Sequence, residues 1–374
     1  MDLKERITAP GPKKILTIDG GGIRGIIALE VLARIESILR KKSGRNNLVL
    51  CDYFDFFAGT STGAIIAAAL AMKWPVDKLR KFYLEQGANM FDSASIFERY
   101  KFRYDGDNLE GMLQKEFGAA TALGDVTGAL LMMVMRNATT DSPWPVCNNP
   151  FAKYNQPQRR DPPHGDCNLD FPLWQLVRAS TAAPTFFPPE VIRVGDKRFI
   201  FVDGGVSPYN NPSFQAFLLS TVEPYKINWE AGERNILLIS VGTGLVPDAN
   251  LRLAAGDMNL LYSASHLPSV LIGAAQIEQD LLCRVFGKCL AGDPIDREIG
   301  ALIDARSPAQ PKLFTYARYN TDLTAGALKS ICLDNIDPAH VQKMDSVRYV
   351  GEMQEVGKAV AEVRVKEEHF ASFF

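Results

Sequence analysis

Residues 53–70 read YFDFFAGTSTGAIIAAAL. Tyr53 to Ala58 is a buried-strand run, and Ala64 to Leu70 is apolar nearly all round, the mark of a buried helix. Between them stands Gly59-Thr60-Ser61-Thr62-Gly63. A Gly-x-Ser-x-Gly turn between a strand and a helix has a mechanical purpose. The bend is sharp and holds the serine in a strained backbone, while Gly59 and Gly63 let neighbouring backbone pass without a Cβ clash. The hydroxyl of Ser61 then stands at the end of a sheet, above a helix N-terminus whose free N–H groups and partial positive charge suit a developing oxyanion. An ordinary glycine turn packing a helix on a strand uses the same residue types. The placement between a hydrophobic run and an alanine-rich helix favours a nucleophile.

The same unit occurs upstream. Lys14 to Ile18 is a short β-branched run ending at Asp19, followed by Gly20-Gly21-Gly22-Ile23-Arg24-Gly25. Ile26, Ile27, Leu29, Val31, Leu32, Ile35, Ile38 and Leu39 then recur at helical spacing. Lys41, Lys42 and Gly44 supply the charge and the glycine that end a helix. The loop fits GxGxxG, which after a strand suggests a dinucleotide site and an oxidoreductase. The acidic residue expected at the end of the second strand is instead the GTSTG turn. The other reading is an oxyanion hole: successive glycine N–H groups at 20–22 converge on one oxygen, with the Arg24 charge nearby. Simple helix capping is the third.

Strands alternating with helices argue for an α/β fold with a parallel sheet covered on both faces. Further strands are expected at Leu130–Met135, Phe199–Val202, Ile236–Val241 and Leu313–Tyr319. Residues 141–170 carry Pro143, Pro145, Pro150, Pro157, Pro162 and Pro163. They read as a long surface loop without a regular ladder, either a lid or a passive insertion. The organisation expected is a catalytic core over 13–245 and a mainly helical C-terminal part over 246–374.

Composition bounds the function class. The 374 residues are 47% hydrophobic and 22% charged, with a formal net charge of −2. That is an ordinary globular balance with no basic excess, so no nucleic-acid polymer is expected as a partner. Six cysteines without a CxxC pair fit free thiols and no zinc spacing. The charged start Met1-Asp2-Leu3-Lys4-Glu5-Arg6 shows no signal-peptide pattern, and no apolar run approaches the ~20 residues of a membrane span. A cytoplasmic protein that meets membranes from outside the bilayer is expected.

A serine nucleophile needs a proton acceptor, usually histidine. None of the four histidines, His164, His266, His340 and His369, follows a strand in a glycine turn. Asp203 does: it follows Phe199 to Val202 and precedes Gly204-Gly205. A carboxylate is a weak base at neutral pH, and burial improves it. A Ser–Asp dyad is physically possible, and an Asp-Gly turn explains the same residues. Phe186, Phe187, Trp144, Phe370, Phe373 and Phe374 are candidates for lipid contact or for core packing.

Together Asp19 to Gly25, Gly59 to Gly63 and Asp203 to Gly205 resemble the patatin-like phospholipase family. Ala179-Ser180-Thr181-Ala182-Ala183-Pro184-Thr185-Phe186-Phe187-Pro188 and Ser240-Val241-Gly242-Thr243-Gly244 add to the likeness. The resemblance implies a three-layer α/β/α fold with a mainly parallel sheet, a modified α/β hydrolase. It implies a Ser61–Asp203 dyad without histidine, an oxyanion hole at Gly20, Gly21 and Gly22, and no metal or cofactor. The reaction implied is hydrolysis of fatty acyl esters of membrane phospholipids. Some bacterial members are antiviral phospholipases switched on by cyclic nucleotides, so a cyclic nucleotide activator is an alternative, and a homo-oligomer stays open.

Overall fold

The computed structural model describes residues 2–91, 107–156, 166–184, 186–246 and 260–374. Among them a nine-stranded sheet is built from β1 (Lys13–Ile18), β2 (Phe56–Thr60), β3 (Leu130–Asn137), β4 (Ser142–Cys147), β5 (Glu190–Val194), β6 (Lys197–Asp203), β7 (Ile236–Val241), β8 (Lys288–Ala291) and β9 (Thr315–Tyr319). The helices used below are α1 (Leu3–Thr8), α2 (Gly25–Ser43), α3 (Thr62–Ala71), α4 (Val76–Phe91), α5 (Asp107–Phe117), α6 (Leu173–Ser180), α7 (Ser213–Thr221), α8 (Leu260–Phe286), α9 (Ala325–Ser330), α10 (Pro338–Gln342) and α11 (Val350–Arg364). The strands run in the order β5-β6-β3-β2-β1-β7-β9-β8, with β4 against β3. Every pair from β3 through β2, β1, β7 and β9 to β8 is parallel; β4, β5 and β6 join antiparallel.

Alternation along the strands makes three layers, because successive side chains leave opposite faces. Leu16, Ile18, Phe57, Met133, Ile239, Val241 and Tyr319 enter one core with α2, α3, α4, α6 and α11. Ile15, Phe56, Ala58, Met132, Val134, Leu238 and Tyr316 enter the other with α1, α7 and the end of α8. Central strands buried on both faces are what a covered parallel sheet requires. Helix α3 is buried on all sides, as its composition indicated. Helix α2 ends where expected, on Gly44 in the left-handed conformation at φ 67°.

Three expectations need correction. The proline-rich segment is not ladder-free: Ser142–Cys147 pairs with β3, placing Val134 opposite Pro145 and Arg136 opposite Pro143. The two prolines are two residues apart on an edge strand, so their missing N–H groups face away from β3 and the ladder survives. The part of that segment over 157–165, with His164, lies outside the described residues. Next, β2 begins at Phe56 and not at Tyr53, because Leu50–Asp52 forms a 3-10 turn and the Tyr53 and Phe54 N–H groups close on the Leu50 carbonyl. Last, the C-terminal part, expected to be mainly helical with one strand at Leu313–Tyr319, holds a second strand. Besides β9 it supplies β8, and both continue the same sheet beside β7.

The registers around β3 have a consequence for chemistry. On one side β3 faces β4 from Met132 to Asn137. On the other, β2 covers Leu130 to Val134 and stops with Thr60 opposite Val134. The next residue, Met135, is taken by Asp203 at the end of β6, arriving from the opposite direction. Two strand ends therefore meet head to head on one edge of β3, and Ser61 and Asp203 lie at the junction.

The turn after β2 is packed backbone on backbone: a Cβ added at Gly59 would overlap the Gly63 carbonyl and the Ala64 nitrogen. Gly59→Ala is expected to cost about 1–3 kcal/mol through that overlap and to lower the melting temperature by a few degrees. Thermal unfolding of the purified variant checks this, and a Tm within about 1 °C of wild type would contradict the close approach.

Candidate active site

Ser61 sits at φ 56°, ψ −125°. This is a left-handed, strained backbone that a side-chain-bearing residue adopts at a cost of roughly 1–3 kcal/mol. The flanking structure enforces it. Ser61 N–H donates to Ser180 Oγ at 3.0 Å, and Ser180 Oγ donates to the Val134 carbonyl at 2.5 Å. Val134 is the last β3 residue that faces β2. The Ser180 hydroxyl bridges the gap between the two strand ends. Ala182, two residues on, accepts the Asp203 N–H at 2.9 Å. The stretch beginning at Ala179 thus ties the Ser61 turn to the acidic strand end.

Ser61 Oγ donates to Asp203 Oδ2 at 2.7 Å. The other carboxylate oxygen, Oδ1, accepts the Gly205 N–H at 2.6 Å. Asp203 is 5% exposed and Ser61 9%. Burial pushes the Asp203 carboxyl up from 3.8 to about 6, with the Ser61 and Gly205 hydrogen bonds pulling partly back. A carboxylate desolvated in this way holds a proton better, which is what a general base needs. Gly204 is required beside it, because an added Cβ would overlap the Val134 carbonyl.

The glycine loop lies against this pair. A Cβ at Gly20 would meet both Ser61 Cβ and the Asn210 side chain. The three glycines are not equivalent. Gly20 N–H already donates to the Asn210 carbonyl at 3.1 Å, and its own carbonyl accepts the Thr243 hydroxyl at 2.7 Å. Neither the Gly21 nor the Gly22 N–H meets an acceptor among the described residues. The same holds for Thr62 N–H, the first of α3. Gly25 leaves room for Thr62 and Tyr83, whose hydroxyls are hydrogen-bonded to each other. Arg24 is buried, and its guanidinium donates to the carbonyls of Gly21 at 3.5 Å and Gln342 at 3.2 Å. Among the described residues it contacts neither Ser61 nor Asp203.

The histidines with described side chains are engaged elsewhere. His340 stacks on Tyr349 and meets Glu352, and His369 is buried against the Tyr319 hydroxyl at 2.8 Å. Of the aromatic candidates for lipid contact, Phe370 is fully buried and Trp144 stacks on Phe201, so both pack the core. Ser180, Asn210 and Thr243 hold the site together and were not singled out by sequence. Their signal was present as proximity to recognised stretches: Ser180 in the run from Ala179, Thr243 in the run from Ser240, and Asn210 seven residues after Asp203.

The raised Asp203 carboxyl sets a stability dependence. The fold binds this proton more tightly than the unfolded chain, so its contribution is full below pH ~4 and lost as pH rises through about 6. A shift of this size corresponds to ~3 kcal/mol of destabilisation once the carboxylate is charged. Asp203→Asn is expected to raise the melting temperature at pH 8 and to leave it nearly unchanged at pH 4. A Tm at pH 8 equal to or below wild type would contradict a buried, charged Asp203.

The sequence is similar to known proteins. Residues 16–217 match the family model for patatin-like phospholipases. Patatin-T5 of Solanum tuberosum is 31% identical over 248 residues, 62% of this chain and 60% of that protein. A cGAMP-activated phospholipase of Escherichia coli is 29% identical over 237 residues, 62% of each chain. An intracellular phospholipase A2 of Caenorhabditis elegans is 30% identical over 251 residues, 66% of this chain and 21% of the longer protein. The chain spans about six-tenths of the length of the first two of these relatives. The matched span includes the glycine loop, the serine turn and the acidic strand end, and covers more than half of the sequence: the chain belongs to the patatin-like phospholipase family.

Proposed function

We propose that this protein hydrolyses fatty acyl esters of membrane phospholipids through a Ser61–Asp203 dyad. The observation that carries the reading is the 2.7 Å hydrogen bond from Ser61 Oγ to a buried carboxylate, at a strained strand-to-helix turn. Asp203 takes the Ser61 proton as Oγ attacks the ester carbonyl. The oxyanion is held by the N–H groups of Gly21 and Gly22, unpartnered among the described residues, with Thr62 N–H close to the nucleophile. The carbonyl re-forms, the bond to the leaving alcohol breaks, and Asp203 returns the proton to that alcohol. Asp203 then takes a proton from water, the hydroxide attacks the acyl-enzyme, and Ser61 leaves with the proton as the fatty acid is released. Arg24 supports the loop through the Gly21 carbonyl and keeps a positive charge behind it.

The substrate class rests on the family and on the relatives named as phospholipases. No helix among the described residues is long and apolar enough to cross a membrane. The relative described as cGAMP-activated supports a second reading, in which a cyclic nucleotide gates the same activity.

Phospholipid-panel hydrolysis followed by mass spectrometry is the test. Ser61→Ala and Asp203→Ala are each expected to lose at least ~10³-fold in rate, and unchanged hydrolysis by purified Ser61→Ala would end the proposal. The wild-type kcat/KM is expected to fall as pH drops through about 6, where Asp203 takes up its proton. A profile flat from pH 5 to pH 8, on the order of three pH units, would remove Asp203 as the base. In the same assay, a rate increase with one of a panel of cyclic nucleotides supports the gated reading, and no response across the panel rejects it.

A further inference from the structure

Thr17 on β1, Ser240 on β7 and Arg318 on β9 stand side by side across three parallel strands. They leave the same face of the sheet as Ile15, Leu238 and Tyr316, the apolar face under α7 and α8. Such a polar row inside a core is costly unless each group is partnered. The partners lead to the active site. Thr17 Oγ1 and Ser213 Oγ are 2.7 Å apart, and Ser213 Oγ donates to Ser240 Oγ at 2.8 Å. Arg318 Nη1 donates to Ser240 Oγ at 2.7 Å.

The guanidinium also reaches beyond the end of β1. Arg318 Nη1 and Nη2 donate to Asp19 Oδ1 and Oδ2 at 2.8 and 2.5 Å. Gln276 Nε2, from α8, donates to Asp19 Oδ2 at 3.1 Å. Asp19 is fully buried, and its N–H donates to the Val241 carbonyl at 3.0 Å. Burial opposes the charge on Arg318, and the Asp19 carboxylate outweighs it, so the guanidinium stays protonated. A buried ion pair of this kind contributes little net stability against apolar packing. A two-pronged guanidinium–carboxylate contact does fix direction. The residue it fixes is the last before Gly20, Gly21 and Gly22.

We propose that Arg318, seconded by Gln276, is the positioning residue of the glycine loop: by gripping Asp19 it sets where the Gly21 and Gly22 N–H groups point. The inference rests on the hydrolytic reading of Ser61. Neither residue touches Ser61 or Asp203 among the described residues. Both lie beyond residue 217, where the family match ends. The C-terminal part therefore completes the site by holding the loop from behind.

Four variants separate positioning from bulk stability: Arg318→Gln, Arg318→Lys, the charge-neutral pair Asp19→Asn with Arg318→Gln, and Gln276→Leu. Each is assayed on a soluble p-nitrophenyl ester, beside wild type and Ser61→Ala, with thermal unfolding in parallel. Arg318→Gln leaves the buried Asp19 carboxylate without its counter-charge and is expected to lower both Tm and kcat. The double variant removes the stranded charge, so Tm is expected to return toward wild type while kcat stays ~100-fold down, the scale of a lost oxyanion donor. KM and the acid limb set by Asp203 are expected to hold. Gln276→Leu is expected to cost several-fold in kcat at near-constant Tm, and Arg318→Lys to recover part of the Arg318→Gln loss.

A double variant that regains wild-type kcat together with Tm would make the pair purely structural and overturn the proposal. So would a loss confined to KM. Amide NMR of Gly21 and Gly22 reads the loop without turnover. Altered shifts or faster exchange in the double variant are expected, and unchanged signals overturn the proposal whatever the activity. Equal hydrolysis by wild type and Ser61→Ala would instead defeat the hydrolytic reading alone.

Discussion

Much of this site follows from one constraint on the edge of β3. A strand edge offers a single row of hydrogen-bonding positions, and here two strands share it from opposite directions. β2 stops at Thr60 opposite Val134, and β6 stops at Asp203 opposite Met135. The junction leaves the Val134 carbonyl without a strand partner, and buried carbonyls need one. The Ser180 hydroxyl takes that place and accepts the Ser61 N–H in turn. Ser61 and Asp203, the proposed nucleophile and base, are brought together by ladder register, before any contact between their side chains.

The site holds features that work against folding. Ser61 keeps a left-handed backbone, and Asp203 is desolvated, with Ser61 and Gly205 as its donors among the described residues. Buried polar groups of the glycine loop carry a further cost, relieved by the Asn210, Thr243 and Arg318 contacts. Two apolar layers on a doubly covered sheet provide the surrounding rigidity. The strain is local because the parts around it have little freedom: Gly59, Gly63 and Gly204 pack backbone against backbone where a Cβ would not fit.

The sequence made the central architecture legible because its signals are short-range. Alternating strand and helix patterns placed β1, β2, β3, β6, β7 and β9 within a few residues of their observed limits, and the buried helix after Ser61 was evident from its alanines. The turn residues marked Ser61 and Asp203 as strand ends. The residues alone left their meeting open beside an ordinary Asp-Gly turn, and the family resemblance decided for it, since nothing local says that β6 runs antiparallel to β3 up to the end of β2. Proline misled at Pro143 and Pro145, because composition does not reveal that a strand lies at an edge with its prolines on the open side. The glycines at 20–22 looked interchangeable, and tertiary contact distinguishes them: Gly20 N–H is satisfied by Asn210. Arg318 carried no signal at all. An arginine in an apolar strand becomes meaningful only when β9 is known to lie beside β7 and to face Asp19.

The proposed mechanism turns on one covalent event. Rapid acid quench of the wild-type protein during turnover of an ester with an isotopically labelled acyl group, followed by peptide mapping, examines it directly. The expected result is the acyl label on the peptide containing Ser61, its hydroxyl mass shifted by the acyl group. Steady turnover with no covalent label, or with the label on another residue, would contradict the Ser61–Asp203 account.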